Sequence, residues 1–273
     1  MLTLNELQQQ ALLSLPKEDA RLEIDILLAR AIDKNTTFLR TWPDYQLNDE
    51  QLAQFQHELS QLQHGIPLAY IVGERDFWRL SLSVNPAVLI PRPDTECVVE
   101  KVLALGRGHQ WRVADLGTGS GAIALSLALE HPEWQIIATD ISAESLAVAE
   151  ANALKNNIHH VEFKQGSWLA PLTGLFDCIV SNPPYIANDD PHLSDLQYEP
   201  IGALVAADNG LSDLKDIVRL SSDFLHKNGW LVLEHGFQQG AAVQALLQQA
   251  GFVNIESGQD LGGNIRYSVG QKC

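Results

Sequence analysis

The spacing of apolar residues changes along the chain and predicts three segments of different architecture. Residues 1–72 carry apolar side chains every three or four positions, which is typical of amphipathic helices. Residues 73–91 alternate apolar and polar side chains and then turn at Asn85-Pro86, which indicates a β-hairpin. Residues 92–273 alternate short apolar runs with helical patterns, as in a parallel sheet covered by helices. The prediction is a helical domain, a hairpin linker and an α/β domain.

The helical pattern is clearest from Asn48 to Gln63. Asn48 is a suitable N-cap, Gln51 occupies the capping-box position, and Gly65 follows the last turn. Four apolar residues form one stripe on this helix: Leu52, Phe55, Leu59 and Leu62. We predict that the stripe packs within a small bundle, although a docking surface for a partner protein would show the same pattern. Another helix is predicted over residues 19–32, with Leu22, Ile26 and Ala29 at helical spacing.

The third segment predicts an α/β fold with a doubly wound, seven-stranded Rossmann-like sheet. Strands are predicted at 112–116, 135–140, 161–165, 176–181, 230–234, 253–256 and 266–270. Helices are predicted at 122–130, 143–156, 211–226 and 238–250. Because no helix separates the last two strands, they should pair antiparallel and give the sheet an antiparallel edge strand. Residues 189–210 show no clear element and are predicted to form a loop over the site.

A glycine-rich loop, Asp115-Leu116-Gly117-Thr118-Gly119-Ser120-Gly121, follows the first strand of this sheet and opens a helix. Glycines allow a close approach to a ligand, and the helix presents its free N–H groups at the same place. In an open α/β sheet, ligands bind at this edge. The pattern of Gly117, Gly119 and Ala122 also fits a dinucleotide-binding loop.

Two carboxylates bear on the choice between a dinucleotide and a methyl donor. Asp115 would repel an anionic pyrophosphate but tolerates the sulfonium and ammonium groups of S-adenosylmethionine, so it favours the methyl donor. Asp140 ends the second strand of the sheet, where an acidic residue holds ribose hydroxyls in either case.

The tetrapeptide Asn182-Pro183-Pro184-Tyr185 follows the fourth strand, at the same sheet edge. The two prolines make this corner stiff and remove two N–H donors. The side-chain oxygen of Asn182 and the carbonyl of Pro183 would accept both N–H groups of a planar NH2, and Tyr185 would stack on it. The pattern predicts methyl transfer to an amide or aromatic amino nitrogen, with no obligatory general base. A proline-rich turn with a capping asparagine is the alternative without a function.

Composition narrows the possible partners. A net charge of −16 over 273 residues argues against a broad electrostatic grip on nucleic acid. The three cysteines are far apart and show no metal-ligand spacing, so no metal is predicted. The first fifteen residues lack a basic signal-peptide region, and no window approaches the roughly 20 apolar residues of a membrane span. We therefore expect a cytoplasmic protein without membrane contact, and nothing demands more than a monomer.

Over nearly its whole length, the chain resembles the release factor glutamine methyltransferases, the HemK/PrmC family. The resemblance rests on Leu89-Ile90-Pro91-Arg92-Pro93-Asp94-Thr95-Glu96, on Asp115–Gly121, on Asn182–Tyr185 and on the helical front segment. It implies methyl transfer from S-adenosylmethionine to the side-chain amide nitrogen (N5) of the glutamine in the Gly-Gly-Gln motif of bacterial peptide chain release factors. S-adenosylhomocysteine would be the product, and the helical domain would contact the protein substrate.

The resemblance also implies roles for individual residues. The donor would contact Gly117, Thr118, Gly119, Ser120 and Gly121, with Asp140 at its ribose and Trp168 near its adenine. Asn182 would contact the donor as well as bind the glutamine amide, and Pro183, Pro184 and Tyr185 would complete the pocket. Trp168 could equally be a core residue that contacts no ligand. Arg92 and Glu96 could shape the active-site loop or form a structural ion pair. His235 is assigned no role.

Three alternatives remain at this point. An adenine amino-methyltransferase acting on nucleic acid would share Asn-Pro-Pro-Tyr, but should also carry a basic recognition region. A non-catalytic donor-binding module would not need the intact corner. A nicotinamide oxidoreductase would share only the glycine loop.

Overall fold

A computed structural model describes residues 2–15, 17 and 19–273. The chain divides into two compact units, Met1–Gly73 and Glu74–Cys273. The first unit contains five helices in its described part: α1 Leu4–Ser14, α2 Ala20–Ala31, α3 Thr36–Thr41, α4 Asp49–Gln63 and α5 Leu68–Val72. None of the described helices is both long and apolar enough to cross a membrane.

Helix α4 forms as its sequence predicts. The side chain of Asn48 accepts a hydrogen bond from the Gln51 amide at 2.9 Å, and the Gln51 side chain accepts one from the Asn48 amide at 3.1 Å. This reciprocal capping satisfies two of the free donors at the helix start. Phe55 and Leu62 are buried in the core of the unit, and Leu52 and Leu59 pack against it. The prediction of packing within a bundle is confirmed.

The buried face of helix α2 includes only part of the predicted pattern. Leu22 is 61% exposed, whereas Ala29 is buried. The helix also buries Ile24, Leu27 and Leu28, and these lie on one face because the last two are three and four positions after the first.

The second unit begins with the predicted hairpin, formed by β1 Glu74–Phe77 and β2 Leu80–Ser83. Trp78 and Arg79 form its two-residue turn, in which Trp78 has a φ of 56°. Phe77, Leu80 and Leu82 are buried in the same core as the helices that cover the large sheet. The hairpin therefore belongs to the compact unit of the sheet.

The large sheet has seven strands in the order β5-β4-β3-β6-β7-β9-β8. Its strands are β3 Arg112–Leu116, β4 Gln135–Asp140, β5 Val161–Gln165, β6 Phe176–Ser181, β7 Leu225–Glu234, β8 Val253–Gln259 and β9 Ile265–Gln271. The helices are α6 Glu96–Leu105, α7 Ala122–Glu130, α8 Ala143–Lys155, the four-residue turn α9 Ala207–Gly210, α10 Ser212–Phe224 and α11 Gly240–Gln249. Five strands run parallel, and β9 runs antiparallel between β7 and β8. The predicted fold, with its antiparallel edge, is confirmed.

Neighbouring residues of each strand enter different cores. Val113 and Val180 belong to the core that includes the hairpin, whereas Ala114 and Ile179 belong to the core that includes residues of α10 and α11. Side chains that alternate between two buried faces define a doubly wound sheet. The apolar runs of the sequence arise because both faces are covered.

The observed elements differ from the predicted ones in three places. The strand predicted at 230–234 begins at Leu225, because Leu225 pairs with Phe176 before a bulge whose exposed polar residues resemble a turn. Helix α6 was not predicted at all. Residues 189–210 contain two 3-10 helices, Pro191–Leu196 and Ile201–Ala203, and the turn α9.

Truncation of the buried aromatic residue of α4 tests the core of the first unit. We expect Phe55→Ala to lower the free energy of unfolding by about 3–5 kcal/mol, because Phe55 is 2% exposed and its removal leaves a cavity. Leu22→Ala, on the exposed face of α2, should change it by less than about 0.5 kcal/mol. Urea unfolding followed by circular dichroism measures both. Equal losses for the two variants would contradict the assigned core.

Candidate active site

The predicted site residues meet where three parallel strands end. β3 pairs with β4 on one side and with β6 on the other, so the segments after Leu116, Asp140 and Ser181 emerge side by side. The buried Ser181 hydroxyl donates to the Leu116 carbonyl at 2.7 Å. This hydrogen bond connects the residue before Gly117 of the glycine loop with the residue before the Asn-Pro-Pro-Tyr corner.

A cavity of about 570 Å³ opens at this edge. Six of the predicted site residues line it: Gly117, Gly119, Asp140, Trp168, Asn182 and Pro184. The rest of its lining consists of residues 86–89, Ile141, Ser142, Glu144, Ser145, Gly166, Ser167, Pro200, Gly202, Ala203 and Asp213. This volume lies within the usual range of small-molecule and cofactor sites.

The backbone of the glycine loop is held by β4. The amides of Gly117 and Thr118 both donate to the Thr139 carbonyl, at 2.8 and 2.9 Å, and the Gly119 amide donates to the Asp140 carboxylate at 2.9 Å. Gly119 has a φ of +56°, and a Cβ atom there would meet nothing within 4 Å. It therefore leaves the cavity side of the loop open for a ligand.

The remaining loop residues support the loop instead of lining the large cavity. A Cβ atom on Gly121, whose φ is +86°, would lie 2.9 Å from Leu125, so this glycine allows close packing of α7. The buried Thr118 side chain donates to Asp115 at 2.7 Å, and the Ser120 carbonyl accepts from Asn152 at 2.9 Å. Thr118 and Ser120 border a small cavity of about 50 Å³ next to the loop.

Asp115 is a buried carboxyl at the end of β3. One of its oxygens accepts from Thr118 and from the Ala124 amide at 3.2 Å, while Oδ1 is buried without a hydrogen-bond partner among the described residues. Burial raises the pKa of Asp115 to about 7, nearby Asp140 adds to the rise, and the two hydrogen bonds oppose it. The carboxyl borders the small cavity and has unused acceptor capacity for a cationic group.

Trp168 serves both as core and as cavity wall. A Cβ atom on Gly117 would lie 3.0 Å from its indole ring, and the ring also packs against the buried core of the sheet. Its backbone has a φ of 47°, and its carbonyl accepts from the Thr139 hydroxyl at 3.0 Å. The two interpretations offered for this residue are thus compatible.

The Asn-Pro-Pro-Tyr corner has a polar wall with free acceptors. The Asn182 side-chain N–H donates to the Thr95 hydroxyl at 3.3 Å. Neither the Asn182 side-chain oxygen nor the Pro183 carbonyl accepts a hydrogen bond from the residues that the structure describes. The Tyr185 hydroxyl donates to Oε1 of Glu234 at 3.3 Å, and burial raises the pKa of Tyr185.

A second cavity, of about 130 Å³, shares Asn182 with the large one. Leu89 and Ala203 also border both cavities, so these three residues form part of the wall between them. The rest of the smaller cavity is lined by Arg92, Tyr185, Ile186, Leu196 and Leu204. The segment predicted to be a loop over the site therefore contributes walls to both cavities.

The Leu89–Glu96 segment is held in place by carboxylates that the sequence did not single out. Glu199 is buried; it accepts from the Ile90 amide at 3.1 Å and pairs with Arg92. Asp94 pairs with Arg266 at 3.0 Å. Glu96 accepts from the amide of Trp78 at 2.9 Å, so Arg92 and Glu96 do not pair with each other.

The fold and this site define a methyltransferase. The family model described as "Methyltransferase small domain" matches residues 95–197, and the one described as "PrmC N-terminal domain" matches residues 6–73. The chain belongs to the release factor glutamine methyltransferases. It is 43% identical to the release factor glutamine methyltransferase of Aliivibrio fischeri, over 99% of this chain and 98% of that one. It is 44% identical to that of Escherichia coli, over 93% of each chain.

Solved structures of more distant methyltransferases share the fold. A methyltransferase from Pyrococcus furiosus superposes with a TM-score of 0.57 at 20% identity, over 78% of this chain and 98% of that chain. The Thermus thermophilus 16S rRNA N2 G1207 methyltransferase was solved with AdoMet and guanosine. It superposes with a TM-score of 0.53 at 18% identity, over 73% of this chain and 50% of that chain. The predicted family and the use of S-adenosylmethionine are confirmed, and the oxidoreductase alternative is excluded by the family.

Filling the open side of the glycine loop should weaken donor binding. We expect Gly119→Ala to raise the Kd for S-adenosylmethionine on the order of 10-fold, which corresponds to about 1.4 kcal/mol. Gly251→Ala is the matched control, because Gly251 also has a positive φ and open surroundings but lies outside the cavity. Calorimetric titration measures both affinities. Unchanged binding by Gly119→Ala, or equal losses in both variants, would contradict the site.

Proposed function

We propose that the protein transfers a methyl group from S-adenosylmethionine to the side-chain amide nitrogen of the glutamine in the Gly-Gly-Gln motif of bacterial peptide chain release factors. The observation that carries the proposal is the wall between the two cavities. At that wall, the Asn182 side-chain oxygen has no partner among the described residues. The carbonyl of Pro183, the next residue in the chain, is a second such acceptor, although Pro183 is not part of the lining of either cavity. A planar NH2 group requires two acceptors. The names of the relatives supply the acceptor class.

The residues around the large cavity fit the methyl donor. Gly119 leaves room for close approach, and Asp140 is an acidic residue at the strand end where ribose hydroxyls are held. The indole of Trp168 offers a flat apolar surface for adenine. The unpartnered oxygen of Asp115 suits the ammonium group of the donor, which would keep this carboxyl ionised. When bound, S-adenosylmethionine supplies a methyl group on a cationic sulfur and is converted to S-adenosylhomocysteine.

The smaller cavity fits an uncharged, flat side chain. Leu89, Ile186, Leu196 and Leu204 make most of its lining apolar, and the ring of Tyr185 lies beside Asn182. Pro184 belongs to the wall of the donor cavity. A glutamine side chain entering here would bring its amide to the shared wall at Asn182, which Pro183 follows in the chain.

The chemistry follows from the weakness of an amide nitrogen as a nucleophile. Its lone pair is delocalised into the carbonyl group. Acceptors at Asn182 and Pro183 would hold both N–H groups and favour tetrahedral character as the new nitrogen–carbon bond forms. The nitrogen gains the methyl group and then loses one proton to water, which restores a neutral amide. No side chain has to remove the proton first.

The remaining assignments extend the same proposal. The unit Met1–Gly73 would contact the release factor; the match of residues 6–73 to the family model described as "PrmC N-terminal domain" supports this assignment. We further propose that the protein acts as a monomer in the cytoplasm, without a metal. Its net charge of −16 disfavours nucleic acid as the substrate.

Label transfer tests the acceptor class. With methyl-labelled donor, the protein should label a release factor and leave DNA unlabelled. Asn182→Ala should lower the rate by at least about 100-fold, the effect of losing one preorganised polar group, and should leave donor binding largely intact. Label in DNA with none in the release factor would contradict the proposal, and so would full activity of Asn182→Ala.

A further inference from the structure

One side chain that lines neither of the two cavities joins the Asn-Pro-Pro-Tyr corner to a distant part of the chain. Gln239 is the N-cap residue of α11. Its side-chain NH2 group donates to the Tyr185 carbonyl at 3.0 Å and to the Asn209 carbonyl at 3.2 Å. Its side-chain oxygen accepts from the Gly236 amide at 2.9 Å. Both N–H groups and the oxygen of this amide are therefore in use.

The Gly236 amide determines which way the side chain of Gln239 points. An N–H group only donates, so it selects the side-chain oxygen, and the NH2 group then faces the two carbonyls. The reversed amide would place donor against donor and acceptor against acceptors. The backbone of Gln239 is held as well, because its amide donates to the Gly236 carbonyl at 2.8 Å. The side chain thus extends from a fixed helix start.

The segment around Asn209 has an unusual backbone. Asp208, Asn209 and Gly210 are consecutive residues with φ values of 57°, 56° and 81°. Left-handed backbone is unfavourable for residues that carry a side chain, so this turn needs support from its surroundings. A Cβ atom on Gly210 would overlap the Tyr185 carbonyl oxygen, so the turn packs directly on the corner. The hydrogen bond from Gln239 to the Asn209 carbonyl supports the turn at this contact.

The residues between the corner and this turn form a wall of the smaller cavity. The Ile186 amide donates to the Leu204 carbonyl at 2.9 Å, and Ile186 forms a parallel β-bridge with Val205. Tyr185, Ile186 and Leu204 all line the cavity of about 130 Å³ that we assign to the acceptor. Gln239 connects the two sides of this wall a second time. With two connections, neither side can shift along the other without breaking a hydrogen bond.

We propose that Gln239 is a positioning residue that holds the wall of the acceptor cavity in the geometry that receives the target side chain. It acts through the carbonyls of Tyr185 and Asn209 and touches neither donor nor acceptor. The inference rests on the proposed function and deepens it, since it names a group that shapes the acceptor side of the site. Loss of this group should impair use of the acceptor and leave binding of the donor intact.

Gln239→Glu gives a variant whose defect depends on pH. The carboxylate cannot donate and would repel both carbonyls, whereas the protonated acid donates to one carbonyl and still accepts from Gly236. At about pH 8, kcat/KM for the release factor should fall on the order of 10-fold, with an unchanged Kd for S-adenosylmethionine. The two carbonyls favour the protonated acid and so raise its pKa. Relative to the wild type at each pH, activity should recover as the pH falls from about 8 to about 5.5.

Two further variants serve as comparisons. Gln239→Met has no side-chain donor at any pH, so its loss of kcat/KM should be the same throughout. Gln238→Glu is the matched control, because it adds the same charge on the neighbouring, exposed residue, and it should behave as the wild type does.

Wild-type kcat/KM in Gln239→Met would overturn the inference, and so would a defect of Gln239→Glu that does not shrink as the pH falls. A loss of donor affinity in Gln239→Met that accounts for its whole loss of activity would also overturn it. If the wild type methylates DNA instead of a release factor, the proposed function fails, and the same variants then test the inference on that acceptor.

Discussion

The parallel pairing of β3 with both β4 and β6 is the constraint on which the rest of the structure depends. Parallel strands that share one edge bring the segments after their carboxyl ends together, although those segments are far apart in sequence. The glycine loop, Asp140 and the Asn-Pro-Pro-Tyr corner therefore surround one cavity. The bond between Ser181 and Leu116 fixes the distance between the donor side and the acceptor side.

Two buried carboxyls lie near the carboxyl ends of strands in this sheet. Asp115 lies at the end of β3 next to the donor loop, and its Oδ1 atom is buried without a hydrogen-bond partner among the described residues. Glu234 ends β7; its Oε1 atom accepts from the Tyr185 hydroxyl at 3.3 Å, and its Oε2 atom is likewise buried and unpartnered in the described part of the chain. Burial raises the pKa of each to about 7, because a charge loses hydration there. In our account, Asp115 receives the ammonium group of the donor.

The sequence alone predicted the order and type of most elements of the fold and the sheet edge at which the site lies. Apolar runs predicted the strands because both faces of the sheet are covered, and glycines and prolines predicted where the backbone turns. The sequence did not predict the contacts of Glu199, Thr95 and Glu234, because these contacts join residues that are far apart in the chain. Ile90 and Glu199, for example, are separated by 109 positions, and no local pattern predicts their hydrogen bond. The start of β7 at Leu225 was missed for the same reason, since only its pairing with Phe176 identifies it as strand.

The central claim is that Asn182, at the wall shared by the two cavities, together with the neighbouring Pro183 carbonyl, selects a side-chain amide nitrogen. The most direct test is mass spectrometry of a release factor after reaction with the protein and S-adenosylmethionine. Fragmentation should place one methyl group on the side-chain amide of the glutamine in the Gly-Gly-Gln motif. A methyl group on another residue, or an unmodified release factor, would contradict the account.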